Sequence, residues 1–444
     1  MRVALIYPEV YDLARYRQKR KEYPPFGVLY LAAVLEAGGH HVAVLKVTPD
    51  EGPLDLREYD VNAWSIPSSA TYGLIKRARL KSSRMLGARD VVGGVHPNFF
   101  GRETLLDLRP DLVGTGDCEG IICDMVELPL GEARLLPGVW ALGDDGEPRV
   151  SDGKPLALDL ASLPLAARHL LPAEDVVMTD RLAGTDLRMA HVMFSRGCPF
   201  PCRFCAAADT GIQYQSGARA RAELRHLMGR YGISGFAIVD DNFVISRPKV
   251  IDVCRSIADL DLKWSALSRV DTVNEEVLGE MARAGCIEVK FGIESGSPAI
   301  LKAMRKNTSP EQIRNAVTRA QAAGIGVKAF VVHGYPGENM ETTAETVRLL
   351  RELSPCISRV TLFRFVPLPG TYVFNHPEEF NLHGTHRDPD WQGDWSKYHI
   401  YHNTEHWWGT DAEFLEVERS YAELQNFVAS AWPDQLACDT RPAA

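Results

Sequence analysis

Short apolar runs alternate along this chain with longer stretches of helical period. Residues 2–7 form a compact apolar run. A helical pattern follows from Gly27 through Val28, Leu29, Leu31, Ala32, Val34 and Leu35 and stops at Gly38 and Gly39. His41 to Leu45 reads as a second buried strand, and further strands are predicted near 61–66, over 90–92 and near 112–113, with a helix over about 71–86. Strands alternating with helices imply a parallel sheet covered on both faces. Such sheets bind ligands beyond the carboxyl ends of their strands. Two glycine-rich turns, Gly93-Gly94-Val95-His96-Pro97 and Gly114-Thr115-Gly116-Asp117, fall at such ends, where backbone must come close to any ligand.

Between 131 and 187 the pattern weakens. Pro137-Gly138, Gly143 to Gly146, Pro164 and Pro172 punctuate only short apolar runs, which reads as a linker with a small hairpin. The alternation then resumes with six strand–helix units, whose strands are predicted at 191–194, 235–239, 263–271, 288–297, 326–338 and 360–365. Six units make a partial barrel, and barrels of this kind place their chemistry at the carboxyl ends of the strands.

The 444 residues exceed the usual size of one domain, so two domains are expected. Forty-nine basic against fifty-eight acidic residues give a net charge of −9, which argues against sequence-independent nucleic-acid binding. A local basic group, Arg15, Arg17, Lys19, Arg20 and Lys21, reads as a solvated loop or as an anion clamp. No apolar run is long enough for a membrane span or a signal peptide, and nine irregularly spaced cysteines suit a reducing compartment; the expectation is a cytoplasmic protein.

The most telling local feature is Cys198, Cys202 and Cys205, spaced C-x3-C-x2-C in the loop that leaves the first strand of the second half. Three thiolates can hold an iron–sulfur cube with one iron open to another ligand. A structural zinc knuckle or three simply buried cysteines would give the same count, although no histidine lies within five residues of the run and Cys254 is far downstream. Asp240 and Asp241 close another strand and could cap a turn or face a bound cation.

The cysteine run, with Phe204 before its last cysteine, resembles the signature of the radical S-adenosylmethionine (SAM) superfamily. Asp-Asp-x-Phe at 240–243, Gly-Ile-Glu-Ser at 292–295, Gly-Tyr-Pro-Gly-Glu at 334–338 and Pro-x-Pro-Gly-Thr at 367–371 resemble that family in its order. The resemblance implies a [4Fe-4S] cluster on Cys198, Cys202 and Cys205. Its open iron would chelate SAM, and an electron from the cluster would cleave SAM to methionine and a 5′-deoxyadenosyl radical. By the same resemblance Phe204, Asp241, Arg269, Glu294, Ser295 and Gly334 would hold SAM.

Pro24 to Ala32, the 93–97 turn and the 114–119 stretch resemble the Rossmann-like cobalamin-binding domain found in one branch of the superfamily. Ser65, Gly93, Gly94, His96, Gly116 and Glu119 would then line the cobalamin site. No Asp-x-His-x-x-Gly stretch offers a lower cobalt ligand, and Gly116-Asp117-Cys118-Glu119 stands where the branch has Gly-Glu-Gly-Glu.

The expected architecture is α/β: a cobalamin-type open parallel sheet over 1–135, a linker over 136–187, a partial (β/α)6 radical SAM barrel over 188–375, and a tail over 376–444. In the tail His383, His386, His399, His402 and His406 fall among Trp391, Trp395, Trp407 and Trp408. This segment reads as a lid on the substrate pocket, with Tyr398 and Tyr401 as lining residues.

The resemblance implies a radical reaction on a small-molecule or natural-product intermediate, with a reductant such as flavodoxin or ferredoxin and no nucleic acid or membrane partner. Cobalamin-dependent methylation, a radical rearrangement, ring remodelling or sulfur insertion without methyl transfer, and a non-catalytic iron–sulfur or metal sensor all fit these residues.

Overall fold

A computed structural model describes residues 1–9, 24–50, 52–153, 159–182, 184–383, 395–399 and 403–433. The basic group at 15–21, His386, Trp391, Tyr401 and His402 lie outside them. The chain divides into two compact units. One comprises Met1–Val176 with a return segment of which 395–398 is described, and the other comprises the rest from Val177 onward.

The first unit is built on β1 (Arg2–Pro8), whose Val3, Ala4, Leu5 and Ile6 are almost wholly buried, as a strand covered on both faces requires. Helix α1 (Phe26–Ala37) leads to β2 (His41–Val47) on one side of β1, and β3 (Val61–Ser65) lies on the other. Then α2 (Tyr72–Lys81), β4 (Arg89–Gly93), α3 (Val95–Leu108) and β5 (Leu112–Gly114) complete a parallel order β2-β1-β3-β4-β5. The chain reverses its direction of winding between β1 and β3, the place where such sheets open a crevice.

Helix α2 is shorter than the predicted 71–86 because the Ser82 hydroxyl donates to the Ala78 carbonyl while accepting the Leu54 N–H at 3.1 Å. Residues 136–187 are not a bare linker. Strands β6 (Val139–Leu142) and β7 (Pro148–Val150) add an antiparallel hairpin to the first sheet, with the Trp140 ring packed where Gly101 has no side chain. The Gly143–Gly146 punctuation is that hairpin's turn, and the boundary between units falls after Val176.

The second unit starts with β8 (Val177–Leu182), antiparallel to β9 (Thr185–Val192). Six parallel strands then follow the predicted alternation: β9, β10 (Gly235–Ile238), β11 (Lys263–Ser268), β12 (Cys286–Glu294), β13 (Gly326–His333) and β14 (Arg359–Arg364). Helices α4 (Gly217–Tyr231), α5 (Arg247–Ile257), α6 (Glu275–Arg283), α7 (Pro310–Ala322) and α8 (Met340–Leu353) connect them. Val289, Phe291, Ile293, Val327, Ala329 and Val331 are buried on one face of the sheet. On the other, Met178 of β8 and Ile287 of β12 meet in one apolar cluster with Met189 and Ala237, so the sheet curls into a half-barrel with an interior face.

The tail beyond 376 is divided between the units. Helix α9 (Asp411–Ala431) packs on α8 in the second, whereas Trp395 and Tyr398 belong to the first.

Candidate active site

The cysteine loop leaves the carboxyl end of β9. Its root is pinned by a short antiparallel pair, Ser195 with Tyr214 and Arg196 with Gln213. At Gly197 the backbone has φ 93°, and any Cβ there would collide with the Gly211 carbonyl oxygen, so only glycine fits. The Cys198 N–H donates to Thr210 Oγ1 at 2.8 Å, the Thr210 N–H returns to the Cys198 carbonyl at 3.0 Å, and the Cys205 N–H donates to the Cys202 carbonyl at 3.1 Å. Three cysteines on a loop closed at both ends are held before any ligand arrives.

Cys202 is buried, and Cys198 and Cys205 are half-buried. Burial pushes all three thiols up, Cys205 to about 12, and the neighbouring cysteines add to the push on Cys198 and Cys205. Arg269 Nη1 lies 3.3 Å from Cys202 Sγ, and the Lys306 charge also favours the Cys202 thiolate. A purely sulfur donor set beside two cations is the chemistry an anionic iron–sulfur cluster requires. Among the described residues no three His, Cys, Asp or Glu side chains converge to hold a single metal ion.

The paired carboxylates after β10 serve this loop. The Phe194 N–H donates to Asp240 Oδ1 at 2.8 Å and the Ser195 hydroxyl to Oδ2 at 2.6 Å, while the Gly197 N–H reaches Asp241 Oδ2 at 3.3 Å. Burial pushes the Asp240 carboxyl up to about 7 despite these donors. The turn-capping reading of the pair is what the geometry shows, and Asp241 stands beside the cysteines with its carboxyl raised by burial.

Arg269 is fixed by four partners. It pairs with Asp271 at 2.8 Å, donates to the Lys306 carbonyl at 2.5 Å, lies 4.0 Å from the Phe200 ring centre and touches Cys202. Glu294 sits at a bulge in the β12–β13 pairing, with φ 64°, and its carboxylate meets Lys306 Nζ at 2.7 Å. A Cβ on Gly292 would stand 2.9 Å from that Nζ and closer still to Glu294, so the glycine makes room for the pair.

Ser295 is wholly buried against Thr346 at 3.1 Å and the Ser297 N–H at 3.1 Å. At Gly334, φ is 91°, the N–H donates to Glu338 Oε2 at 2.6 Å, and the carbonyl accepts from Trp408 Nε1 at 2.7 Å. Burial pushes Glu338 up to about 7. Phe204 is half-buried between two of the cysteines. Phe200, Asp271 and Lys306 were not singled out by the sequence, whereas Asp240, Gly292 and Glu338 lie in stretches that it marked. The doubled aspartate was a signal for Asp240, but nothing in the local pattern marked Lys306.

In the first unit Ser65, Gly93, Gly94, His96 and Gly116 gather at the carboxyl ends of β3, β4 and β5. The Ile66 N–H donates to the Gly93 carbonyl at 2.8 Å, and the His96 N–H to the Ile66 carbonyl at 3.0 Å. At Gly94, φ is 107° and a Cβ would come within 2.7 Å of the Ile66 carbonyl oxygen. The Gly116 N–H donates to Asn98 Oδ1 at 2.7 Å, and Glu119 is buried.

His96 is 1 % exposed, pairs with Ser69 Oγ at 2.8 Å and is pushed down to about 3 by burial, so it is a neutral wall residue. Trp395 packs on it at 4.8 Å, with Tyr72 and Phe100 alongside. Tyr398 packs against Trp395 at 5.8 Å, which places it in this unit and not in the half-barrel. Val95 and Phe99, one turn apart at the start of α3, are 45 % and 38 % exposed. The bare edge therefore carries apolar surface.

The family model for the Radical SAM superfamily matches residues 192–350. The chain is 29 % identical over 374 residues to the uncharacterized methyltransferase PH0819 of Pyrococcus horikoshii, covering 81 % of this chain and 79 % of the relative. It is 24 % identical to the anaerobic magnesium-protoporphyrin IX monomethyl ester cyclase of Rubrivivax gelatinosus, covering 84 % and 69 %. Among solved structures, the radical SAM methyltransferase TsrM from Kitasatospora setae, with cobalamin and a [4Fe-4S] cluster bound, superposes with a TM-score of 0.65 at 16 % identity, covering 85 % of this chain and 78 % of that one. That likeness shows the fold: a parallel-sheet unit followed by a curled half-barrel.

Proposed function

We propose that this chain, whose residues 192–350 match the Radical SAM superfamily model, is a cobalamin-dependent radical SAM enzyme that methylates an unactivated carbon of a small-molecule or natural-product intermediate. The observation that carries the reading is the closed loop presenting Cys198, Cys202 and Cys205 beside Arg269, with the Glu294–Lys306 pair next to it. The thiols would hold a [4Fe-4S] cluster, which when bound supplies the electron that splits SAM into methionine and a 5′-deoxyadenosyl radical.

The protein's own part is to hold and to shield. Arg269 and Lys306 favour the Cys202 thiolate over the thiol that burial alone would give. Asp240 and Asp241 fix the loop root, so the three sulfurs keep their spacing. Phe204, Asp241, Arg269, Glu294, Ser295 and Gly334 are the residues expected to seat SAM. Because the Gly334 N–H and carbonyl are both engaged, its contribution is the bare Cα face. In the first unit the glycine turns with exposed Val95 and Phe99 suit a large flat ring, which supports Ser65, Gly93, Gly94, His96, Gly116 and Glu119 as cobalamin contacts. His96, buried and tied to Ser69, would line the ring's site from the wall.

A flavodoxin or ferredoxin would supply electrons in the cytoplasm. Among the described residues no helix is long and apolar enough to cross a membrane. The cyclase relative keeps a second reading in view, a radical ring closure without methyl transfer.

The test is anaerobic reconstitution followed by iron, sulfide and cobalt counts and product analysis on reduction. The reading expects about four iron per chain, one cobalt, and methionine with 5′-deoxyadenosine from SAM, with S-adenosylhomocysteine added once the true substrate is present. No SAM cleavage would overturn it, and cleavage without S-adenosylhomocysteine during substrate turnover would favour the cyclase-like reading.

A further inference from the structure

Helix α9 and the stretch before it close on one short turn. That turn, Gly334-Tyr335-Pro336-Gly337-Glu338, leaves the carboxyl end of β13 and runs towards α8, and both of its glycines hold positive φ, 91° at Gly334 and 94° at Gly337. Part of its shape is internal: the Gly334 N–H donates to Glu338 Oε2 at 2.6 Å, and the Glu338 N–H to the Tyr335 carbonyl at 2.9 Å. The rest is supplied from more than seventy residues downstream.

Trp408 Nε1 donates to the Gly334 carbonyl at 2.7 Å. Val417 Cγ1 stands 3.5 Å from where a Cβ on Gly334 would sit, so α9 covers one side of the glycine. Glu416 Oε1 accepts the N–H of Met340, the first residue of α8, at 3.1 Å, and so answers a donor that a helix start leaves over. Behind the turn, His333 Nε2 lies 3.1 Å from both Thr343 Oγ1 of α8 and Ser420 Oγ of α9, and Arg364 of β14 pairs with Glu418. Trp408, Val417 and Ser420 are buried. Trp408 is itself held through its backbone: it bridges Leu382, and the flanking residues exchange bonds with the same segment, His383 N–H to the Trp407 carbonyl at 2.7 Å and Gly409 N–H to the Asn381 carbonyl at 3.1 Å.

A matched contact stands at the other end of the strands. Trp432, just past α9, donates its Nε1 to the carbonyl of Ile357, which precedes β14, also at 2.7 Å. The two indoles make the same bond, one at the carboxyl end of the half-barrel sheet and one at the amino end.

We infer that Trp408 and Glu416 are positioning residues for SAM: they hold the 334–338 turn in its binding shape before the cofactor arrives, so that SAM does not have to order it. The inference rests on the radical SAM reading, in which Gly334 meets SAM, and adds the part of the chain that keeps Gly334 in place. A turn that its ligand must order subtracts that cost from affinity. The worth of the lost hydrogen bond sets the limit, about tenfold for a bond of ordinary strength.

The test is equilibrium dialysis of the anaerobically reconstituted protein against SAM, with denaturant unfolding of the same preparations. Trp408→Phe keeps a ring and removes the N–H donor, and it should bind SAM about three- to tenfold more weakly. Trp432→Phe removes a bond of the same kind and length, so it should lose comparable stability and keep wild-type SAM affinity. Glu416 is half-buried on the helix, and Glu416→Ala carries the same test should Trp408→Phe fold poorly. Its binding should weaken about two- to fivefold and recover in Glu416→Gln, whose amide oxygen still accepts the Met340 N–H. Wild-type affinity in both Trp408→Phe and Glu416→Ala, or an equal loss in Trp432→Phe, overturns the inference and leaves the proposed function standing. A wild-type protein that holds its cluster but takes up no SAM sinks the proposed function and this inference with it.

Discussion

Replacing Asp240 tests how the cysteine loop is held. Its carboxylate accepts from the Phe194 N–H and the Ser195 hydroxyl, and both donors are buried with it. Asp240→Ala leaves two buried donors unanswered at about 1–3 kcal/mol each, so a loss of roughly 2–6 kcal/mol is expected, together with lower iron retention. Asp240→Asn behaves differently. Its amide oxygen can keep the Phe194 N–H, and the Ser195 hydroxyl can rotate to accept from the amide nitrogen, so the loop survives.

The two variants also differ with pH. Burial raises the folded Asp240 pKa from 3.8 to about 7, so the folded state binds the extra proton between these values. Its contribution is fully present below about pH 4 and is lost as pH rises towards 7. At about 1.4 kcal/mol per pKa unit the swing is roughly 4 kcal/mol. Denaturant unfolding of the wild type and Asp240→Asn at a series of pH values should show the wild type losing stability relative to the variant between pH 4 and 7. A constant difference across that range would refute the reasoning, as would an Asp240→Ala protein as stable as the wild type.

Gly197→Ala forces a side chain into the Gly211 carbonyl at φ 93°, and the reconstituted variant should hold less than half the wild-type iron by colorimetric assay. Lys306→Met leaves the buried Glu294 carboxylate without its cation, which should cost about 3–5 kcal/mol in denaturant unfolding and weaken SAM binding in equilibrium dialysis. Trp395→Ala removes the ring covering His96, Tyr72 and Phe100, for about 3–5 kcal/mol in the first unit, and the His96 NMR titration should move up from about 3 towards the ordinary histidine range.

The parts of this protein written locally were legible. The cysteine run declares itself because its three cysteines sit on one loop at close spacing, and the strand–helix alternation shows because burial of a parallel sheet imposes it residue by residue. What the sequence hid depends on register and on distance. Lys306 reaches Arg269 from 37 residues away after a turn that carries no ligand motif. Lys290, Lys328 and Arg359 come side by side only because three strands align at those positions. Trp395 gave no sign that it packs in the first unit, since an aromatic among histidines fits a lid equally well. The small hairpin at 139–150 was legible in its glycines and prolines, but they mark a turn inside a sheet as readily as a linker, so its place in the first sheet was not.

Under the proposed function Cys198, Cys202 and Cys205 would hold a cluster that takes up SAM when reduced. The most direct measurement is the electron paramagnetic resonance spectrum of the reconstituted, dithionite-reduced protein recorded before and after adding SAM. A [4Fe-4S] signal whose g-values move on addition, and which disappears when Cys202 is replaced by alanine, is the predicted result. A signal indifferent to SAM, or one that persists without Cys202, would contradict it.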